Sequence, residues 1–157
     1  MEHPFQSEWM LWAHLPHDTV WTLASYTPIM KVGRVEELIT LAHTLPEKLV
    51  TNCMLFFMRD PITPIWEDPK NRGGGCFSYK VVNKSVAETW RELMYLVAGE
   101  TLTQDGGFNS CITGVSISPK KGFCILKIWM TNCAHQQPDK VRAASLKPTG
   151  CMFKRHA

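Results

Sequence analysis

The chain has 157 residues, 45% hydrophobic and 20% charged, with a formal net charge of +3. A chain of this length buries about two-thirds of the surface its unfolded form exposes, so it needs no staples and reads as one soluble domain over residues 1–157. No apolar run approaches the roughly 20 residues of a membrane span, and the mild positive charge permits an anionic ligand without demanding one.

The N-terminus, MEHPFQSEW, has neither a basic n-region nor an apolar h-region, so no secretory signal is read there. The six cysteines form no CxxC pair and are expected to be reduced and mostly buried. Cys133 and His135 offer two ligands without a second pair at zinc spacing, so neither a metal site nor a cofactor is expected.

In chain order, Glu8 to Leu15 reads as a first strand, PHDT as a turn, and YTPIMKV, just past Trp21, as a second extended run. In VEELITLAHTLP the apolar positions Val35, Leu38, Ile39, Ala42 and Leu45 follow a helical stripe that Pro46 stops. Cys53 to Met58 is a short apolar strand, followed by a proline- and glycine-rich loop, ITPIWEDPKNRGGG, from Ile62 to Gly75. Cys76 to Val82 is the next strand. Ser85 to Glu100 is the clearest helix, with Ser85 and Glu88 as a capping box, Val86, Trp90, Leu93 and Val97 on one face, and Gly99 as its stop.

Gln104 to Ser110 reads as a turn, and CITGVSIS and FCILKIWM as strands of a hairpin closed by Pro119 to Gly122. Pro138 to Leu146 is expected to form a short helix, and GCMFKRHA a last strand. A strand-strand-helix unit recurs about three times. It predicts an α+β fold, an antiparallel or mixed sheet with about three helices packed on one face and the other face free. If the sheet is curved, its concave side is the natural ligand site.

Six tryptophans are many for this length. Trp21 and Trp66 lie in or beside loops, and Trp129 shares a strand face with Ile125 and Lys127. Each has an ordinary alternative as a core residue capping the sheet. As a ligand platform, two facing indoles sandwich a flat base, at about 1–3 kcal/mol per stacked base. A carboxylate accepts from a pair of adjacent donors, and guanine presents such a pair, N1–H and the 2-amino group. Glu67 beside Trp66 is therefore suited to guanine, although Glu67 and Asp68 also fit a solvated loop or a helix cap. The nearby cations are Lys70 and Arg72 in the loop, Lys120 and Lys121 in the hairpin, Lys127 on a strand, and Lys154 and Arg155 near the end.

HPFQSEWMLW (His3 to Trp12), ITPIWEDPKNRGG (Ile62 to Gly74), WRELMYLVAGE (Trp90 to Glu100) and KIWMTNC (Lys127 to Cys133) together resemble the eukaryotic translation initiation factor 4E family of messenger-RNA cap-binding proteins. The segments fall in the family's order and span most of the chain, which looks like a short, divergent member. The resemblance implies a curved antiparallel sheet with three helices on its convex back and 7-methylguanosine on the concave side. It implies Trp21 and Trp66 as the stacking rings, Glu67 on the guanine edge, the Trp66 amide at O6, and Trp129 at the N7-methyl.

Two regions depart from the family pattern. Gly75 and Cys76 stand where the family usually has an arginine and a tryptophan, and Ile125 stands for a lysine. Phosphate contact is therefore assigned to Lys120 and Lys121, with Lys127 and Arg72 as further candidates. On the convex back the resemblance implies a scaffold factor of the 4G type, bound through His3, Pro4 and Val35. There Ile39 or Leu38 replaces a tryptophan, and Arg91, after Trp90, replaces a leucine. A missing indole and an added charge imply an altered scaffold motif or a different partner.

The implied role is delivery of capped messenger RNA to the translation machinery by a cytoplasmic, or also nuclear, monomer. A competitor that holds caps without recruiting a scaffold is the alternative. A cap-hydrolysing enzyme using Glu67 and Asp68 lacks both a GxxxxGK[ST] loop and a carboxylate cluster for magnesium, so no catalytic residue is assigned.

Overall fold

The computed structural model describes residues 3–143, 146–148 and 150–156. The chain forms β1 (Pro4–His14), a 3-10 turn (Leu23–Ser25), β2 (Tyr26–Arg34), α1 (Val35–Thr44), α2 (Glu47–Asn52) and β3 (Met54–Arg59). It continues with α3 (Pro69–Arg72), β4 (Gly75–Val82), α4 (Asn83–Ala98), α5 (Gly106–Cys111), β5 (Ile112–Pro119) and β6 (Phe123–Met130). A second 3-10 turn (Pro138–Lys140) and β7 (Met152–Arg155) follow.

All seven strands lie in one curved antiparallel sheet, in the order β2-β1-β3-β5-β6-β4-β7. Alternation divides each strand between the two faces. Trp9 and Leu11 of β1, Leu55 and Phe57 of β3, Phe77 of β4, Val115 and Ile117 of β5, and Leu126 and Ile128 of β6 are buried on one face. Against them pack Leu38 and Leu41 of α1, Val50 of α2, Phe108 of α5, and Val86, Trp90, Leu93 and Val97 of α4. This is the main core, and it covers the convex side.

The concave side carries the alternate residues. One cross-strand row runs Trp12, Phe56, Ser116, Lys127, Ser78, Met152; its neighbour runs Met10, Met58, Gly114, Trp129, Cys76, Lys154. Phe56, Met58 and Trp129 form a second, smaller cluster there. Gly114 has no room for a side chain, because a Cβ would strike the Met58 thioether and the Phe57 carbonyl. The Met58 side chain thus fills the floor beside Trp129.

The structure corrects several expected boundaries. Helix α4 starts at Asn83 with Val82 at its N-cap and no side-chain cap, so Ser85 and Glu88 form no capping box. The apolar stripe, not a cap, sets this helix, and Gly99 does end it by donating to the Tyr95 carbonyl. α2 begins directly after Pro46, where no second helix was expected. The expected turn over residues 104–110 contains α5. Its two glycines are held helical by the Asp105 carboxylate, which accepts from the amides of Gly107 (2.9 Å) and Phe108 (3.3 Å), and by the Phe108 anchor.

The expected helix from Pro138 to Leu146 shrinks to the 3-10 turn Pro138–Lys140. Val141 and Ala143 are buried and Arg142 is exposed, the period of an extended chain, and the Arg142 amide donates to the Leu102 carbonyl at 2.8 Å. Residues 144 and 145 of that expected helix lie outside the described residues.

Candidate functional site

Two loops rise over the same end of the concave face. The β1–β2 loop is tied down by His14, whose ring is fully buried. His14 Nε2 lies 2.8 Å from the Val20 carbonyl and Nδ1 3.1 Å from the Leu15 carbonyl. The Asp18 carboxylate accepts from the Val20 amide at 2.9 Å. Trp21 then stacks flat on His14, with ring centroids 3.8 Å apart and planes 1° apart. One indole face is covered, and Trp21 as a whole remains 53% exposed.

The β3–β4 loop is stapled by Asp68 and Asn71. The Asp68 carboxylate accepts from the Thr63 hydroxyl (2.6 Å) and amide (2.9 Å) and from the Lys70 amide (2.9 Å), where it caps α3. Partial burial alone would raise the Asp68 carboxyl, but these bonds from Thr63 and Lys70 hold it below the usual carboxylate range. Asn71, fully buried, donates to the carbonyls of Thr63 (3.1 Å) and Ile65 (2.9 Å). With the loop backbone fixed on both sides, Trp66 and Glu67 project outward, and Trp66 is 45% exposed.

Between the loops lies a cavity of about 240 Å³ lined by Trp21, Tyr26, Met54, Phe56, Pro64, Ile65, Trp66, Glu67 and Trp129. The structure thus brings together the three tryptophans and the glutamate singled out from the sequence. Trp129 is 8% exposed and forms part of the floor, its Nε1 donating to the Ser116 hydroxyl at 2.9 Å. Burial, and then the nearby Glu67 carboxylate, push the Tyr26 hydroxyl above its usual range. Sequence reasoning missed Tyr26, Phe56 and His14. Tyr26 and His14 face each other across β1 and β2, and Phe56 lies in the Trp12 row of the concave face, so strand alternation carried the only signal for them.

The cations divide. Lys127 is two residues from Trp129 on the same strand face, about 7 Å along the chain. Lys120 and Lys121 sit in the hairpin at the far end of β6, roughly 25 Å along the strand from Trp129. Arg72 is exposed at the end of α3 and does not line the cavity. Among the described residues, no three His, Cys, Asp or Glu side chains come together to hold a metal ion.

The convex-face residues also divide. The His3 amide and Nδ1 lie 2.7 and 3.0 Å from the Glu36 carboxylate, and the Val35 amide donates to the His3 carbonyl at 2.9 Å. This fixes His3 and Pro4 against the start of α1. Ile39 is 43% exposed whereas Leu38 is fully buried, so Ile39 is the surface residue of that pair. Arg91 is exposed, but Trp90 is wholly inside the core and presents no surface to a partner.

A family model described as Eukaryotic initiation factor 4E matches residues 4–148. The chain belongs to the eukaryotic initiation factor 4E family. Its factor 4E relatives include eukaryotic translation initiation factor 4E-2 of Schizosaccharomyces pombe, 31% identical over 140 residues that cover 83% of this chain and 55% of the relative. Another is eukaryotic translation initiation factor 4E of Eremothecium gossypii, 29% identical over 98% of this chain and 71% of the relative. The chain therefore spans between about half and three quarters of the length of these two factor 4E proteins.

A solved complex of C. elegans eIF4E-3 with the 4E-binding protein Mextli and a cap analog shares the factor 4E fold. Its TM-score is 0.74 at 20% identity, covering 84% of this chain and 76% of that one. The factor 4E match takes in both tryptophan loops and ends before β7.

Proposed function

We propose that this chain binds the 7-methylguanosine cap of messenger RNA in the cavity between Trp21 and Trp66 and serves translation initiation in the cytoplasm. The observation that carries this reading is the conjunction of two half-exposed indoles, one on each loop, with a carboxylate at the edge of a base-sized cavity. An exposed indole is poor packing unless a flat ligand covers it. A base made cationic by N7-methylation gains about 2 kcal/mol or more when desolvated over an indole face. Glu67 accepts from N1–H and the 2-amino group, and Trp129 meets the N7-methyl from the floor. Association itself costs an estimated 4–15 kcal/mol, so the base alone binds weakly and the phosphates supply much of the remainder. The solved C. elegans relative holds a cap analog, which supports the same reading.

This role is binding and not catalysis. Asp68 is spent on Thr63 and Lys70 and leaves Glu67 without a second free carboxylate in the loop. On the convex back, His3, Pro4, Val35 and Ile39 are the surface for a scaffold of the 4G type or a 4E-binding protein, with Arg91 altering the motif it accepts. A second reading, a competitor that holds caps without a scaffold, is favoured by the exposed Arg91 and by burial of Trp90. Tight binding of a conventional scaffold peptide at this face would exclude the competitor.

Titration of tryptophan fluorescence with 7-methyl-GTP and with GTP tests the cap assignment. Quenching with strong preference for the methylated base is expected. Trp66→Ala abolishes the preference, and Glu67→Ala weakens binding by about 1.5–3 kcal/mol, the worth of hydrogen bonds to a charged group. Equal responses to the two nucleotides would overturn the sandwich.

A further inference from the structure

We propose that the last strand builds the phosphate subsite: Lys154 on β7 and Lys127 on β6, with His156 beside Trp129, hold the polyphosphate of the cap. The inference rests on the cap reading above; Lys154 and His156 lie beyond the family match, which ends at residue 148, and Lys127 lies within it.

Register places the cations. Phe153 pairs with Phe77 and packs on it at 5.0 Å between ring centroids, inside the convex core. Alternation then turns Lys154 to the concave face, in the row Trp129, Cys76, Lys154. With strands about 4.8 Å apart, the Lys154 backbone is roughly 10 Å from that of Trp129, within reach of a lysine stem and a phosphate chain. Gly75 keeps the strands flush, since a Cβ there would strike the Lys154 carbonyl and the Phe153 ring.

The cluster closes around Cys76. Burial raises its thiol, while the Lys127 ammonium, a hydrogen bond with Ser78 and the Lys154 ammonium act in the opposite sense. Cys76 pairs with Lys154 across β4 and β7, and Lys127 pairs with Ser78, the next concave residue of β4. His156 completes it. Its amide donates to the Gly74 carbonyl at 3.0 Å, and its ring lies 5.1 Å from the Trp129 ring. Burial, and then Lys127, hold its imidazole below the usual range, so the ring is neutral near pH 7. Its Nε2 is buried and meets no hydrogen-bond partner among the described residues.

Among the described residues no counter-charge meets these lysines: neither Lys127 nor Lys154 forms an ion pair. An uncompensated pair of ammonium groups with a spare ring nitrogen, bordering the wall of a base-sized cavity, is matched to a phosphate chain leaving that cavity.

The test is an affinity ladder of 7-methylguanosine, 7-methyl-GMP and 7-methyl-GTP at low and high salt. The native chain should gain affinity with each phosphate and lose that gain in salt. Lys154→Ala and Lys127→Ala should each cut 7-methyl-GTP affinity by about three- to tenfold and leave the nucleoside unchanged. Lys154→Arg, which keeps the charge, should restore it. A Lys120→Ala/Lys121→Ala double variant should keep the whole ladder. An intact ladder in Lys154→Ala, or its loss in the hairpin variant, overturns the proposal while the cap reading stands. Failure of the native chain to prefer methylated over unmethylated guanosine removes the cap reading and this proposal with it.

Discussion

His14 decides how Trp21 is presented. Its ring nitrogens lie 3.1 and 2.8 Å from the carbonyls of Leu15 and Val20, its flat face backs the indole, and Tyr26 meets it edge-on at 4.9 Å. An aromatic pair adds about 0.5–1.5 kcal/mol beyond the area it buries. Here that energy orients a half-exposed ring before any ligand arrives, and a pre-oriented ring loses less freedom on binding. His14→Ala is therefore expected to weaken 7-methyl-GTP binding by about two- to twelvefold, the fold-change that this pairing energy represents. His14→Phe, which keeps a stacking ring, should retain most of the affinity. Fluorescence titration at a temperature where both variants remain folded measures this, and unchanged affinity in His14→Ala would refute the positioning role. The Trp66–Glu67 pair was legible in the sequence because an indole and a carboxylate together in a proline- and glycine-rich loop are chemically conspicuous. His14 was not, because a histidine closing an apolar strand carries no mark of what will stack on it.

Elements were read best where an apolar stripe was long. α4 and the β5–β6 hairpin announced themselves, since burial of one face dominates their energetics. Short helices were missed for local reasons: α2 follows Pro46 with no side-chain cap and one buried anchor, Val50, whereas α5 rests on one cap and its Phe108 anchor, and many Asp, Ser and Thr residues look equally able to cap. Asp105 and Asp68 are the ones that do, while Ser85 is not. The Asp68 cap has a consequence for the cap loop. Its carboxyl lies below the usual range in the folded chain, so its contribution to loop stability is fully present above the unfolded carboxyl value of about 3.9. That contribution is lost as pH falls through the lower, folded value. The loop should thus be indifferent to pH between about 5 and 8 and loosen only in acid below the ordinary carboxyl range. Asp68→Ala should remove about 1–2 kcal/mol of loop stability already at neutral pH. Amide hydrogen exchange at Thr63 and Lys70, whose N–H groups the carboxylate accepts, reads this directly. Full protection of both amides in the variant would show that Asn71 alone holds the loop.

At the scale of the whole molecule, the α+β class followed from the recurring strand-strand-helix order, but the strand order did not. β4 pairs with β6 and β7, far along the chain, and no local pattern encodes which distant edges meet. What locks that topology includes one guanidinium. Arg59, at the end of β3, donates to Ser7 on β1 (2.9 Å), to the Ile112 carbonyl that opens β5 (3.0 Å) and to the Asn109 carbonyl in α5 (3.1 Å). It also pairs in two-point fashion with Glu100 (2.9 and 3.2 Å), just past α4, and lies 4.6 Å from the Trp9 ring centroid. Both side chains of the ion pair are mostly buried. Removing one partner strands a charge, so Arg59→Met should cost about 3–5 kcal/mol of unfolding free energy. Arg59→Met with Glu100→Leu removes both charges and should recover a large part of that loss, since an apolar pair of similar volume is often no worse than a buried ion pair. Neither Arg59 nor Glu100 lines the cavity. The preference for 7-methyl-GTP over GTP should therefore persist in both variants while they are folded, and urea denaturation with and without 7-methyl-GTP separates the two effects. A midpoint lowered in Arg59→Met, rescued in the double variant and raised by the same increment on adding ligand in each, places this pair in the scaffold. Loss of the preference itself would place it in the binding machinery instead.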